Sequence, residues 1–471
     1  MMIFLSQFES NNIYAQIKFP KLPRDIPGKI KIISDWINSV AAFERAIQDI
    51  AKMNASNFGK NVSVTKIRPG KQNAGQNIPA NEITKPVIKN SHSSNFYWEP
   101  VAYFNNQLFP SAVISLASFK GGSPDTLFEA MRRPLGFRIH SKKSNIPLRW
   151  EIECVDKSYF DKVGGTFIYT SNSDKTIELF NADSIPWNYK TLVNNISPKP
   201  LNIYFRLFDE KGNKVEKLVT VTVRSINDCV IWYNSEDLRR LFSAYVQEDD
   251  NTKIDGILRE ALNSKIVNEF AGYQENEKYG TSAVDLQVAA IWKVLHDRGF
   301  QYTSIADNSA LNNDTAYSQT VRTFDVAMKT YQANCVDGTV VFASILRRIG
   351  IRPILVAVPG HCFLGYYVNE NNNDEIHFLE TTMLSSSDYL SKDSAAAYAK
   401  LIPRFFPKLN MKTSTLTTKG YLLQFINARL AGDHNWTKYN NEFPAEKNPN
   451  AIQKIDLIEQ RKSIQPIPFS D

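Results

Sequence analysis

Cysteine is scarce in this sequence, with four residues in a chain of 471. The four are Cys154, Cys229, Cys335 and Cys362, and they are too few for a disulfide scaffold in so long a chain. The scarcity instead favours a single reactive thiol among otherwise unremarkable cysteines.

The sequence also lacks a long apolar run, a block of like charges and a fixed-period repeat. No run approaches the ~18 residues that a membrane span needs, so we predict no integral membrane span. The net charge of +7 is dispersed along the chain, which argues against nucleic acid as a partner. With 43% hydrophobic and 22% charged residues, the composition excludes a disordered polymer and predicts a multidomain globular protein.

Residues 1–16 lack the basic region and the full apolar core of an export signal, although residues 3–5 are apolar. At best they form a truncated signal. With such a signal the protein would be periplasmic or at the cell surface, and without one it would be cytoplasmic. The sequence leaves both the compartment and the oligomeric state open.

The pattern of apolar residues divides the chain into four segments. Helical spacing over residues 30–53 predicts an amphipathic helix within an N-terminal segment, 1–53. Residues 54–96 are polar and predict a linker. Residues 97–233 contain short β-branched and aromatic runs, which predict an antiparallel β-sandwich-like domain, whereas the helical period resumes in residues 234–471.

Individual elements follow from the same patterns. The runs predicted as strands of the β domain are residues 112–116, 148–154, 166–170, 201–208 and 218–223, with a hairpin at Glu210-Lys211-Gly212-Asn213. The segments predicted as helices after it are residues 235–247, 253–270, 282–298, 395–405 and 419–430.

One predicted helix carries a cysteine in its first turn. Asn334 is a good N-cap, the pair Arg347-Arg348 suits the last turn, and Gly350 suits the position after the C-cap, so Cys335 opens the helix. Unpaired N–H groups and the positive end of the helix dipole stabilise a thiolate there. The backbone amide of Cys335 could also donate to an oxyanion.

Two further motifs follow this helix. After a buried-looking strand at residues 354–358, Gly360-His361 begins a second strand, and Glu380-Thr381-Thr382 lies on a third, residues 376–383. If the last two strands pair antiparallel, His361 and Glu380 share a face for only one parity of the register. The sequence does not determine that parity.

These three motifs, in this order, resemble the transglutaminase-like superfamily of papain-like cysteine enzymes, and we expect a bacterial member. The resemblance covers about residues 280–385. It implies an α+β fold, in which a papain/transglutaminase-like catalytic domain with a helical C-terminal extension is preceded by an antiparallel β-sandwich domain and an N-terminal helix. It also implies that Cys335 is the nucleophile, His361 its base and Glu380 the third member of a catalytic triad.

The sequence departs from the family at two positions. The family usually has Asp where this chain has Glu380, and an aromatic residue soon after the histidine, which here is Phe363 beyond Cys362. Glutamate is one methylene longer but can still accept a hydrogen bond from the imidazole and hold its tautomer.

The activity implied by the resemblance is acyl transfer through a thioester, most simply as a peptidase or amidohydrolase on a peptide or protein substrate. Neither a cofactor nor a metal is expected. The alternative is a catalytically idle transglutaminase-like module that binds a protein or glycan through the β domain.

Each candidate residue also has a structural interpretation. Cys335 could be a buried thiol, since free cysteines are among the most buried residues. Glu380 could be a carboxylate at the sheet edge, and we favour a first-turn structural role for Asp337. Metal binding by Cys335 with His361, Cys362 and His377 is disfavoured, because adjacent strand residues point to opposite faces.

Three polar residues upstream of the cysteine occupy positions where such enzymes often have a side-chain oxyanion donor. They are Gln319, Tyr331 and Gln332. Polar residues before a helix are more often solvated or capping, so we assign them no catalytic role from sequence.

Overall fold

Helices and several separate sheets are mixed along the chain, which gives an α+β architecture in the computed structural model. The residues that the structure describes are 96–119, 128, 131–141, 144–170, 178–181, 185–233, 236–247, 252–276, 280–303, 316–372, 374–385, 402–407, 416–448 and 450–468. They all belong to one compact unit, residues 78–388 with 395–471. The helix predicted at residues 30–53 and nearly all of the linker predicted at 54–96 lie outside the described residues.

The described residues include seventeen strands and nine α-helices. The strands are β1 Phe96–Ala102, β2 Gln107–Leu108, β3 Leu135–Ser141, β4 Ile146–Cys154, β5 Lys162–Tyr169, β6 Glu178–Asn181, β7 Lys199–Phe208, β8 Lys214–Val223, β9 Asp228–Tyr233, β10 Glu236–Asp237, β11 Gln301–Tyr302, β12 Ala316–Thr320, β13 Gln332–Ala333, β14 Pro353–Val358, β15 His361–Tyr367, β16 Ile376–Leu379 and β17 Gln453–Asp456. The helices are α1 Pro110–Ser115, α2 Tyr189–Val193, α3 Thr252–Asn263, α4 Ser282–Asp297, α5 Phe324–Thr330, α6 Cys335–Arg348, α7 Ile402–Phe405, α8 Leu416–Glu442 and α9 Leu457–Gln460. Two 3₁₀ helices, Arg239–Tyr245 and Thr381–Ser385, and a left-handed turn at Tyr103–Asn106 complete the set.

The first half of the described chain contains a five-stranded sheet, β2-β8-β7-β4-β5, and a three-stranded sheet, β1-β3-β6. All neighbouring strands are antiparallel except the short pair β2 and β8. Aromatic side chains join the two sheets, since Phe137 of β3 contacts Trp150 of β4 and Phe205 of β7 with ring centroids 6.2 and 5.6 Å apart. The predicted hairpin is confirmed, with Gly212 at a φ of +78° between β7 and β8.

One strand prediction is wrong. Residues 112–116 fall largely within helix α1, which begins with Pro110 and whose six residues are all buried. A short apolar run that is buried on every side has no period by which a strand can be told from a helix. Proline at the first helical position, where no N–H is needed, starts the helix.

A second sheet system carries the elements of the three motifs. Its strands are ordered β16-β15-β14-β17, all antiparallel, and α6 packs against β14 and β15. Separately, β9 pairs with β12, so hydrogen bonds join residues on both sides of position 233. Among the described helices, none is both long and apolar enough to cross a membrane.

The predicted helices of the second half have mixed outcomes. The prediction at residues 282–298 is confirmed by α4, which is followed by Gly299 at a φ of +73°. The segment 235–247 instead contains β10 and a 3₁₀ helix, and the pattern at 419–430 extends into the 27-residue α8. Of the segment 395–405, the described residues include only α7.

Candidate active site

Cys335 is the first residue of α6, as its N-cap predicted. Asn334 Oδ1 accepts a hydrogen bond from the Asp337 amide, and the Asp337 carboxylate accepts one from the Asn334 amide, each 2.9 Å long. This reciprocal pair is a capping box, which satisfies two otherwise unpaired N–H groups at the helix start. Cys335 is half-buried, whereas the other three cysteines are buried. It is therefore the one cysteine with partial access to solvent.

Asp337 anchors the start of α6. Its carboxylate is fully buried and accepts bonds from the Arg322 amide at 2.7 Å and the Arg322 guanidinium at 2.5 Å. Together with the bond from Asn334, these contacts use the carboxylate oxygens for holding the preceding loop against the helix. The geometry agrees with the structural role that we favoured for Asp337.

His361 and Glu380 lie on one face of the sheet. Leu364 of β15 pairs with Leu379 of β16, so one further step along the register sets Phe363 opposite Glu380. His361 is two residues from Phe363 and points to the same side. His361 Nε2 lies 2.7 Å from Glu380 Oε2. The register has the parity that brings the two side chains together.

The imidazole of His361 also makes a hydrogen-bonded contact with Cys335. Burial lowers the pKa of His361, but the hydrogen bonds with Cys335 and Glu380, together with their charges, outweigh it and raise the pKa to about 10. Phe363 stacks on the ring with centroids 6.0 Å apart. The structure thus brings Cys335, His361 and Glu380 into one chain of contacts.

Both oxygens of Glu380 are engaged. Oε1 accepts from the Thr382 amide at 3.0 Å and the Thr382 hydroxyl at 2.6 Å. Oε2 accepts from Asn435 Nδ2 at 2.7 Å as well as contacting His361. Each carboxylate oxygen thus has two partners, which hold the side chain of Glu380 in one orientation. Glu380 is only 5% exposed, so this shell of donors replaces water.

Asn435 was missed in the sequence. It lies in the interior of α8, 55 residues after Glu380, and an asparagine in a polar helix carries no signal that identifies it. Tyr439, one helical turn further, also lies near the site. Burial, followed by the charges of Glu442, Glu380 and Cys335, raises the pKa of Tyr439. Helix α8 therefore forms one side of the site.

Two glycines allow helices to approach the backbone around Glu380. A Cβ on Gly432 of α8 would lie 2.5 Å from the Phe378 carbonyl carbon and 2.6 Å from the Leu379 nitrogen. A Cβ on Gly338 of α6 would lie 2.9 Å from the Thr381 hydroxyl oxygen. Any larger residue would push the helix away from the strand. Close helix contacts therefore fix the backbone just before Glu380, through Gly432, and just after it, through Gly338.

The three upstream polar residues have different positions. Gln319 Nε2 and Asn334 Nδ2 both donate to the Thr320 carbonyl, at 3.2 and 2.9 Å, so Gln319 lies beside the N-cap that precedes Cys335. Tyr331 is the C-cap of α5 with a φ of +51° and is 40% exposed. Gln332 is exposed on β13.

His377 and Cys362 do not join the site as a metal cluster. His377 Nδ1 lies 2.9 and 3.0 Å from the two oxygens of Asp285, and by the register it points to the opposite face from Glu380. Cys362 is buried, and burial raises its pKa well above that of an ordinary thiol. Within the described residues, no group of three or more His, Cys, Asp or Glu side chains has the arrangement of a metal site.

Comparison with known proteins does not add to this geometry. No family model matches the chain, and no curated protein is significantly similar to it. Function is therefore inferred from the chemistry of the site.

Proposed function

We propose that the protein is a cysteine-dependent acyl-transfer enzyme, a peptidase or amidohydrolase that acts on peptide or protein amides through a thioester. One observation supports this most strongly: the His361 imidazole contacts both Cys335, in the first turn of α6, and Glu380, which lies 2.7 Å away. A nucleophile, a base and a group that orients the base are the parts that nucleophilic catalysis on an acyl group needs.

The first half of the reaction is acylation. The Cys335 thiolate attacks the carbonyl carbon of the amide, and the electron pair moves to oxygen to form a tetrahedral oxyanion. The oxyanion then collapses and the C–N bond breaks, while the His361 imidazolium gives its proton to the leaving nitrogen. The products are a free amine and a thioester on Cys335.

The raised pKa of His361, about 10, suits this step because the ring carries a proton at neutral pH that it can give to the leaving nitrogen. Once it has given up that proton, the ring is neutral and can take a proton from the water or amine that attacks the thioester. One residue serves as acid and then as base.

We propose two donors for the oxyanion. The Cys335 amide lies at the start of α6, where the helix dipole favours negative charge. Gln319 shares its acceptor, the Thr320 carbonyl, with the N-cap residue Asn334. Since the side chain of Gln319 would need to turn only from this carbonyl, we propose it as the side-chain donor.

We also propose a superfamily for the second half of the chain and a sandwich architecture for the first. The helix, strand and strand order of α6, β15 and β16, with the cysteine at a helix start and the His and acid on paired strands, supports membership of the transglutaminase-like superfamily with a papain-like catalytic unit. The aromatic contacts of Phe137 with Trp150 and Phe205 support a β-sandwich in residues 97–233. The division into domains at residues 53, 96 and 233 stays a prediction.

The test is formation of the acyl-enzyme. The full-length protein is mixed with p-nitrophenyl acetate, and the release of nitrophenol and the intact protein mass are followed together. We expect a burst of nitrophenol and one acetyl group, located on Cys335 by peptide mapping. The Cys335→Ala variant should lose both signals, and the matched Cys362→Ala variant should keep them, because Cys362 is buried.

Absence of an acetyl group on Cys335 in a folded wild-type protein would contradict the proposal and favour the idle binding module. A glutamine peptide with a labelled primary amine then separates the two enzyme activities. Conversion of glutamine to glutamate indicates hydrolysis, and incorporation of the label indicates transfer. We expect hydrolysis, because Cys335 is partly open to solvent.

A further inference from the structure

A cavity of about 390 Å³ lies around His377. Its wall combines the start of α4, at Ser282, with Asp285 of that helix, Arg404 of α7 and Arg429 of α8. His377 and Glu380 are three positions apart, and the odd separation places them on opposite faces of β16. The cavity is therefore separate from the chain of contacts between Cys335, His361 and Glu380.

Arg429 reaches this cavity from a buried position. It is 3% exposed, and its Nη1 donates to the Phe378 carbonyl and, at 3.0 Å, to Asp433. Its Nε is buried, lies 3.7 Å from Asp285 Oδ1, and makes no hydrogen bond within the described part of the chain. What Arg429 adds to the wall of the cavity is its positive charge.

Positive groups outnumber negative ones in the wall. Asp285 is the only carboxylate among the described lining residues, against two arginines. Its oxygens already accept the Tyr366 hydroxyl at 2.6 Å and contact His377 Nδ1. Since Nδ1 is used in this way, His377 Nε2 is the ring nitrogen available to a ligand. Arg404 is exposed and forms no ion pair with any described residue.

The start of α4 adds to the positive potential. This helix has 16 residues, and its first turn, at Ser282, forms part of the wall. N–H groups in the first turn of a helix and the dipole of the helix both favour an anion. Phe405 of α7 and Pro407 supply an apolar part of the same wall.

We propose that this cavity binds an oxyanion, a carboxylate or a phosphate, carried by a molecule with an apolar portion. The oxyanion is held by the two guanidinium groups of Arg404 and Arg429, the imidazole of His377 and the first turn of α4. The apolar portion lies against Phe405 and Pro407. This site does not depend on the chemistry proposed for Cys335.

Isothermal titration calorimetry on the full-length protein tests the site. The probes are phenyl phosphate, phenylacetate and phenylacetamide, and the last two differ only in that the amide carries no charge. We expect at least one of the two anions to bind in the millimolar range or tighter and the amide to bind ~10-fold more weakly or not at all. Whichever anion binds more tightly identifies the class of ligand.

Two variants test whether the anion binds in this cavity. Arg404→Gln should weaken binding of the anion ~10-fold, since it removes an exposed charge without disturbing a buried contact. Arg138→Gln is the matched control, because Arg138 is a half-exposed arginine paired with Glu99 and does not line the cavity. Equal affinities for anions and amide, no binding of either anion, or equal losses in the two variants would each overturn the proposal.

Discussion

Two histidine–carboxylate pairs lie on opposite faces of the same sheet, and they resemble each other closely. His361 is 2.7 Å from Glu380, and His377 is 2.9 Å from Asp285. They differ in the further contacts that the histidine and the carboxylate of each pair make. His361 also contacts the half-buried thiol of Cys335, whereas the pair of His377 includes a tyrosine hydroxyl and borders a cavity. A histidine paired with an acid is therefore only half of a nucleophilic site.

The electrostatics of the two pairs also differ. In the first pair, burial acts to lower the pKa of His361, but the hydrogen bonds and charges of Cys335 and Glu380 outweigh burial and raise the pKa to about 10. The second pair has a buried acid. Burial acts to raise the pKa of Asp285, but His377, Arg429 and the Tyr366 hydroxyl outweigh burial and lower it. Under the proposed function, the first pair supplies the proton that is transferred, whereas the second pair keeps a buried carboxylate charged.

The largest expected effect is on the reactivity of the Cys335 thiol, which should depend on the first pair and not on the second. His361→Ala should slow the alkylation of Cys335 by iodoacetamide at pH 7 by ~10² to 10⁴-fold, because Cys335 loses the neighbouring group that can take its proton and then carry a positive charge beside the sulfur. Tyr366→Phe is the contrast. It removes a hydroxyl bonded to Asp285 and should destabilise the protein by ~1 to 2 kcal/mol without changing the alkylation rate.

The measurement is the rate of alkylation at Cys335, followed by mass spectrometry of the labelled peptide, with urea denaturation for stability. Equal alkylation rates for wild type and His361→Ala over the whole pH range would show that the first pair is no more reactive than the second.

The next expected effect is a difference in how the stability contribution of each pair depends on pH. Since the folded pKa of His361 lies near 10, above the ordinary 6.5, its stabilising contribution is complete below pH 6.5 and is lost as the pH rises through 10. The stability difference between wild type and Glu380→Gln should therefore narrow in that alkaline window, by at most ~1.4 kcal/mol per pH unit. Urea denaturation between pH 6 and 10 measures it.

Asp285 should behave in the opposite way. Its folded pKa lies below the ordinary 3.8, so its contribution is present above that pH and is lost as the pH falls through the folded pKa. The difference between wild type and Asp285→Asn should accordingly narrow in acid. If the stability differences of Glu380→Gln and of Asp285→Asn from wild type narrowed in the same pH window, the two pairs would not differ electrostatically as described.

The smallest expected effect concerns the helix that the two pairs share. Helix α8 supplies Arg429 to one pair and Asn435 to the other, and Gly432 between them lies against the backbone of β16. Gly432→Ala should destabilise the protein by ~1 to 3 kcal/mol, because the new Cβ would displace the helix. For Gly420→Ala in the same helix, no described residue outside the neighbouring helix backbone has an atom within 4 Å of the new Cβ, so this change should stabilise the protein by up to ~1 kcal/mol.

Thermal or urea denaturation of the two glycine variants provides the comparison. Similar stabilities of Gly432→Ala and Gly420→Ala would mean that α8 can move away from β16 at little cost. Asn435 would then have no firm position from which to hold Glu380.

Local features of the site could be predicted from sequence to a large extent. Asn334 as N-cap and Gly350 after the C-cap bracketed α6, and the structure has Gly350 at a φ of +77°. Both signals depend only on residues within the helix and its immediate neighbours, so they can be recognised in a single sequence. The strand prediction at residues 112–116 failed because a uniformly buried run has no period that separates a strand from a helix, and the local marker of the helix, Pro110, lies just before that run.

The sequence by itself determined that a cysteine opens a helix and that a histidine begins a strand, because capping and periodicity are properties of short stretches of chain. The strand predicted at residues 376–383 is shorter in the structure, where it ends at Leu379 and a 3₁₀ helix follows Glu380. Only the tertiary structure decided that His361 and Glu380 share a face, that Asn435 reaches Glu380 from α8 and that His377 pairs with Asp285. Register and helix crossing depend on contacts between residues far apart in the chain, as between Gly432 and the backbone of β16, and those contacts exist only in the folded protein.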